Sequence, residues 1–207
     1  MAFLSADDRA FLRTVSDLGY CNPFLRERIE FERMILGEDF IAGEPVWGLR
    51  VDAPEKPNLN VGQLTTRIET LIRSLQKRLA RAVDVSEQDL LLYQDGVLFL
   101  LFHRYRFQFD DVITRALEQQ RRRERCGFYT DFLHDWQEFF ALPGRTLPVL
   151  SEVVHYFACF FQLRRAFYHI FQSIIGASLV SARLRAEVWQ SIFTHDMRRY
   201  RHTLYDK

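Results

Sequence analysis

Two acid-x-x-histidine pairs are the first candidates for chemistry: Glu152-Val-Val-His155 and Asp131-Phe-Leu-His134. Residues three apart share a helix face, and helical bundles hold di-metal centres with two Glu-x-x-His pairs plus two further carboxylates. Here one pair carries Asp instead of Glu, and no convincing helix supplies the other two carboxylates. Asp131, His134, Glu152 and His155 are therefore kept as an alternative metal site, and no metal is expected on the main reading. His155 and Cys159 are four apart and share a face. They read either as a soft-metal or haem ligand pair, or as a satisfied core histidine beside a buried thiol, and the second is favoured. Aromatic residues crowd this stretch and either build core or line an apolar pocket with a few polar handles. The residues that would line such a pocket are His155, Tyr156, Cys159, Phe160, Tyr168 and His169.

The strong catalytic signatures are missing. The sequence has no GxxxxGK[ST] loop, GxGxxG turn, GxSxG elbow or HExxH helix, so phosphate-loop, dinucleotide, hydrolase and zinc-protease chemistry is not expected. The chain reads as a non-enzyme with no cofactor of its own. Arg121-Arg-Arg-Glu-Arg125 fits a solvated helix end, where cations complement the negative pole of the dipole. Nucleic-acid binding is the weaker reading, because no aromatics interleave this single patch. Cys21, Cys126 and Cys159 are odd in number and far apart. They read as buried thiols in a reducing compartment, not as a disulfide framework or a zinc pair.

These residues need a scaffold, and the composition indicates its kind. The chain has 207 residues, 48% hydrophobic and 27% charged, with a formal net charge of +1. That is enough apolar material for a sizeable core, and it excludes disorder and low complexity. The longest apolar run, Val97 to Phe102, is far short of the ~18 residues of a membrane span. The start, MAFLSADDRAFLR, lacks an apolar signal core. A cytoplasmic globular chain with no membrane partner is expected. Nineteen Phe against nine Gly point to long helices around a bulky core.

Periodicity predicts an all-α fold: a single domain of seven or eight helices with one long Pro- and Gly-containing loop. The first helix starts at Ser5, with Asp8 completing a capping-box-like arrangement. Asn22-Pro23 predicts the start of a second helix that stops at Gly37. The segment Gly37–Asn60 reads as a loop with room for a short extended piece, the only place a strand is expected. Helices follow over Val61–Val83, from Ser86 through the apolar stretch Leu90–Phe102, and over Phe107–Arg125 and Phe128–Leu142. Another opens at Thr146 and Pro148 and reaches toward Gly176. The last runs from Ser178 to Tyr205, with Leu184, Val188, Trp189, Ile192 and Phe193 on its inner side. Residues 1–177 form the domain body and 178–207 a basic connector helix.

The two ends of the chain resemble a known group. Val188-Trp-Gln-Ser-Ile-Phe-Thr-His-Asp-Met-Arg-Arg-Tyr-Arg-His-Thr-Leu-Tyr205 is similar to the segment preceding the AAA+ ATPase core of certain sigma-54-dependent transcriptional regulators, the bacterial enhancer-binding proteins. Leu18-Gly-Tyr-Cys-Asn-Pro-Phe-Leu-Arg-Glu-Arg-Ile29 resembles the start of the same group's regulatory region. The resemblance implies a regulatory domain, signal-sensing or autoinhibitory, that controls an ATPase core lying beyond Lys207. ATP and magnesium would belong to that core, and DNA binding to a separate domain. Partners would be the chain's own AAA+ core, sigma-54 RNA polymerase through it, and further copies in a homo-oligomer. His195, Asp196, Arg198, Arg199 and Tyr200 would couple the domain to the core, by hydrogen bonds and by arginine–carboxylate pairs. The alternative is a helical metal- or haem-binding sensor or enzyme centred on His155.

Overall fold

A computed structural model describes residues 3–42, 58–81, 85–118, 126–142, 145–176 and 178–193. The expected all-α architecture is observed, with eight α-helices among these residues. Helix α1 (Ala6–Tyr20) begins with a complete capping box. The Ser5 hydroxyl accepts from the Asp8 N–H at 3.1 Å, and the Asp8 carboxylate accepts from the Ser5 N–H at 2.9 Å. Two of the helix's orphan donors are thereby satisfied. The apolar face of α1, Leu12, Val15 and Leu18, is buried.

Asn22-Pro23 does not open a helix. The Asn22 side-chain oxygen accepts from the Phe24 N–H, and its amide donates to the Ala186 carbonyl, both at 3.0 Å. The side chain is thus spent on an Asx-type turn and a long-range tie, and α2 (Glu27–Leu36) begins four residues after Pro23. It stops at Gly37, whose φ of 59° suits glycine. Helix α3 (Leu59–Leu79) is capped by Asn58, and α4 (Glu87–Arg104) by Ser86.

Helix α4 is the central one. It buries Leu92, Tyr93 and all six residues from Gly96 to Leu101, and it packs against both α1 and α3. Gly96 permits this approach. A Cβ there would lie 2.9 Å from Leu12 Cδ2 and 3.2 Å from Ile72 Cδ1. Helix α5 (Arg106–Glu118) packs on α7 (Val153–Ser173), and α6 (Tyr129–Phe140) on α4. Between α6 and α7 the chain departs from expectation. Strands β1 (Ala141–Leu142) and β2 (Arg145–Thr146) pair antiparallel, outside the Gly37–Asn60 loop where a strand was expected. A 3₁₀ turn at Pro148–Glu152 then precedes α7, so the helix predicted from Thr146 begins several residues late.

Helix α8 (Leu179–Ile192) packs on α7. Its buried side differs from the one predicted. Trp189 and Phe193 are buried, but Leu184 and Ile192 are exposed, and Ala182, Arg185 and Ala186 face inward instead. Small residues let α8 come close to Ala166 of α7, in one cluster with Phe24, Ile170, Trp189 and Phe193. Arg185, with no exposed surface, donates to the Ile174 carbonyl at 2.8 Å and the Gly176 carbonyl at 2.6 Å. A cation on these carbonyls complements the negative end of α7 and fixes the turn into α8. The described part of the helix ends at Ile192 with Phe193 as its C-cap (ψ 16°), and the expected continuation to Tyr205 lies outside the described residues. The coupling residues His195, Asp196, Arg198, Arg199 and Tyr200 lie outside the described residues, as does Arg121–Arg125. No described helix is long and apolar enough to cross a membrane.

Candidate functional site

The apolar interior divides into two clusters. The larger is built from α1 to α6 and the first half of α7. The smaller holds Phe24, the second half of α7 and the inner side of α8. Where the two face each other lies a cavity of about 360 Å³, within the range of ~300–1,000 Å³ usual for small-molecule sites. Leu18, Leu98, Phe99, Phe102 and Phe160 form its wall on the larger-cluster side, and Phe167, Phe171 and Trp189 on the other. The rings meet at edge-to-face and tilted angles: Phe102 with Phe160 at 5.4 Å, Phe167 with Trp189 at 4.6 Å, and Trp189 with Phe193 at 4.4 Å. Such contacts add to the stabilisation from burial itself.

Polar residues also line the wall, and most are held by partners. Arg28 donates to Glu32 at 2.8 Å within α2. Arg164 of α7 makes a two-pronged pair with Asp110 of α5, one arm at 2.8 Å. Asp95 of α4 accepts from Ser16 at 2.7 Å and from the Tyr20 hydroxyl at 2.8 Å. Arg106 donates to the His103 carbonyl at 2.5 Å. His103 sits against Phe99 and Phe102, with ring centroids 4.4 and 5.1 Å away. Its Nδ1 is fully shielded and has no hydrogen-bond partner, as is true of Trp189 Nε1. Burial pushes the His103 pKa well below the usual histidine range, and the guanidiniums of Arg106, Arg28 and Arg164 push the same way. The imidazole is therefore neutral at neutral pH. Cys21 also lines the cavity, and burial pushes its thiol up to about 12, which leaves it protonated and a poor nucleophile.

Of the pocket residues read from sequence, Tyr156, Cys159, Phe160 and Tyr168 line this cavity, but His155 and His169 do not. His169 is exposed. His155 directs Nε2 to 3.6 Å from Cys159 Sγ, so the predicted His–Cys adjacency exists but the imidazole lies outside the cavity wall. The histidine of the cavity is His103. The alternative metal set is not assembled: Asp131, His134, Glu152 and His155 do not converge, and Asp131, His134 and Glu152 are exposed. Among the described residues the grouping that does converge is His134, Asp135 and Glu138. Arg104 pairs with Asp135 at 2.7 Å and Arg73 with Glu138 at 2.6 Å, so two of these three ligands already have cationic partners. The three cysteines are free thiols, with Cys159 buried and Cys21 and Cys126 partly so.

Spacing alone could not reveal His103 and Trp189 as partners in one cavity, since they meet only after α4 and α8 are placed. The local signal was the single imidazole closing the apolar stretch of α4. Comparison with family models, curated proteins and solved structures found no match to this chain.

Proposed function

We propose that this chain is a small-molecule-responsive regulatory domain, without catalytic activity of its own, that controls a sigma-54-dependent transcription activator. The observation that carries the reading is that Trp189 of α8 walls the cavity and itself belongs to Val188–Tyr205, the segment resembling the connector to an AAA+ core. Occupancy of the cavity bears on Trp189 and so on the docking of α8. A shift of that helix is the kind of rigid-body displacement that can be passed to a following domain. His195, Asp196, Arg198, Arg199 and Tyr200 would make the contacts on the ATPase side. ATP, magnesium and sigma-54 RNA polymerase engage that core, and the N-terminal domain sets its activity.

The reading frame beyond Lys207 should continue into an AAA+ core with a phosphate-binding loop. In that full-length protein, Leu163→Trp, which fills the cavity, should change ATPase rate or promoter output with the fold intact by circular dichroism. Arg198→Ala with Arg199→Ala should alter regulation with the fold intact by circular dichroism. Unchanged output in both variants, or a frame that closes without a core, would remove the proposal.

A further inference from the structure

Five large aliphatic side chains stand open to solvent between Ile175 and Ile192. Ile175 and Val180 are each 76% exposed, and Leu179, Leu184 and Ile192 between 44% and 52%. Val180, Leu184, half-buried Val188 and Ile192 recur at every fourth residue, so they form one stripe along the length of α8. The opposite side of the helix, with Ala182, Arg185, Ala186 and Trp189, is buried toward α7. Helix α8 is thus apolar on both sides, and only one of them is covered. Apolar residues exposed singly are ordinary, whereas a continuous stripe marks a surface that something else covers.

The charges beside the stripe indicate what covers it. Arg183 and Glu187 are both exposed and stand one residue before Leu184 and Val188, so they share one flank of the stripe. One cation and one anion do not suit an anionic membrane surface, which asks for a run of cations. They do suit a second copy of the same helix. When two copies pack antiparallel about a two-fold axis, with Leu184 of each opposite Val188 of the other, like flanks meet. Arg183 of each copy then comes within reach of Glu187 of the other, and the complementary contact is made twice. Parallel packing would set this flank against the other one, where Ser181 and the buried Arg185 offer no carboxylate. We propose that α8 is a self-association surface through which two copies of this chain pair antiparallel, with Val180, Leu184, Val188 and Ile192 as the seam and Arg183–Glu187 as reciprocal ion pairs. The pairing goes beyond the reading of the cavity and stands without it. One stripe per copy makes a small contact, of the transient class below ~1,200 Å².

Sedimentation equilibrium on the full chain of 24.7 kDa should show a reversible monomer–dimer equilibrium, with a dissociation constant of roughly 1–100 μM. Leu184→Glu, which places two like charges in the seam, should leave the chain monomeric over the same concentrations. Arg183→Glu and Glu187→Arg should each weaken self-association roughly tenfold, since two attractive contacts become repulsive. Mixing these two variants should restore pairing to about its original strength, because every contact in the mixed dimer is again between opposite charges. All three positions are exposed, and circular dichroism should show the fold unchanged. If Leu184→Glu fails to fold, the mixing experiment decides. A chain that stays monomeric up to about 1 mM, or a dimer that Leu184→Glu leaves intact, would overturn the proposal and give the stripe another occupant. Charge variants that pair as well as the unmodified chain, or a mixture that does not recover, would overturn the antiparallel arrangement.

Discussion

Replacing Arg185 by methionine tests whether α8 is held as firmly as the structure implies. The side chain has no exposed surface and its guanidinium donates to two carbonyls, Ile174 and Gly176, at the end of α7. Methionine keeps much of the aliphatic volume and removes every donor. A hydrogen bond from a charged group contributes about 1.5–3 kcal/mol net, so losing two acceptors' partner costs on the order of 3–6 kcal/mol. Against this, the variant no longer desolvates a guanidinium, whose burial already weakens its hold on the proton. That relief brings the expected net loss to about 2–4 kcal/mol. Urea unfolding should show the loss as a lower midpoint. Hydrogen exchange should show it most in α8, whose amides should exchange far faster while those of α4 change less. A stability change under about 0.5 kcal/mol, or uniform acceleration across all helices, would refute the idea that Arg185 pins the α7–α8 turn.

Three further outcomes follow from single residues. Gly96→Val should destabilise by about 2–3 kcal/mol, since its Cβ would press on Leu12 and Ile72 and overpack the α1–α4–α3 seam; an unchanged thermal midpoint would contradict it. His103 has a depressed pKa when folded, so the unfolded chain takes up its proton first as pH falls. The contribution of neutral His103 is therefore full above about pH 6.5 and is lost as pH drops below that value toward the folded pKa. His103→Phe should flatten the stability–pH curve in that window, and parallel curves for the two proteins would count against it. The Cys21 thiol, with its pKa raised to about 12, should react with iodoacetamide at pH 8 much more slowly when folded than in urea. Equal rates would show that the thiol is open to solvent.

What could be read from the sequence was what is decided locally. Ser5 with Asp8, Ser86 at the start of α4, the stop at Gly37 and the apolar stretch of α4 each depend on neighbours within a few residues, and each is found. Asn22-Pro23 was misread because the competing partner of Asn22, the Ala186 carbonyl, is distant in sequence. Helix α8 was misread for a related reason. Its large residues Leu184 and Ile192 made the stronger apolar pattern, but close approach to α7 favours Ala182 and Ala186, and the carbonyls at the end of α7 draw Arg185 inward. Two of the six candidate pocket residues fell on the wrong side of α7. Tyr156, Cys159, Phe160 and Tyr168 do line the cavity, while His155 and His169 do not, and periodicity within one helix cannot say which face meets α4 and α8.

The cavity itself has a physical cause in the residues around it. Aromatic side chains at this density would ordinarily close on one another and leave no void larger than a water. Here polar residues of the wall tie separate elements: α1 to α4 through Ser16 and Tyr20 on Asp95, and α5 to α7 through Arg164 on Asp110. Arg28 and Glu32 lock each other within α2. Moving α5 relative to α7, or α1 relative to α4, would cost these hydrogen bonds, each worth about 0.5–3 kcal/mol net. The elements that carry the wall are thus tied to one another, so the aromatic surface is in place before a ligand arrives.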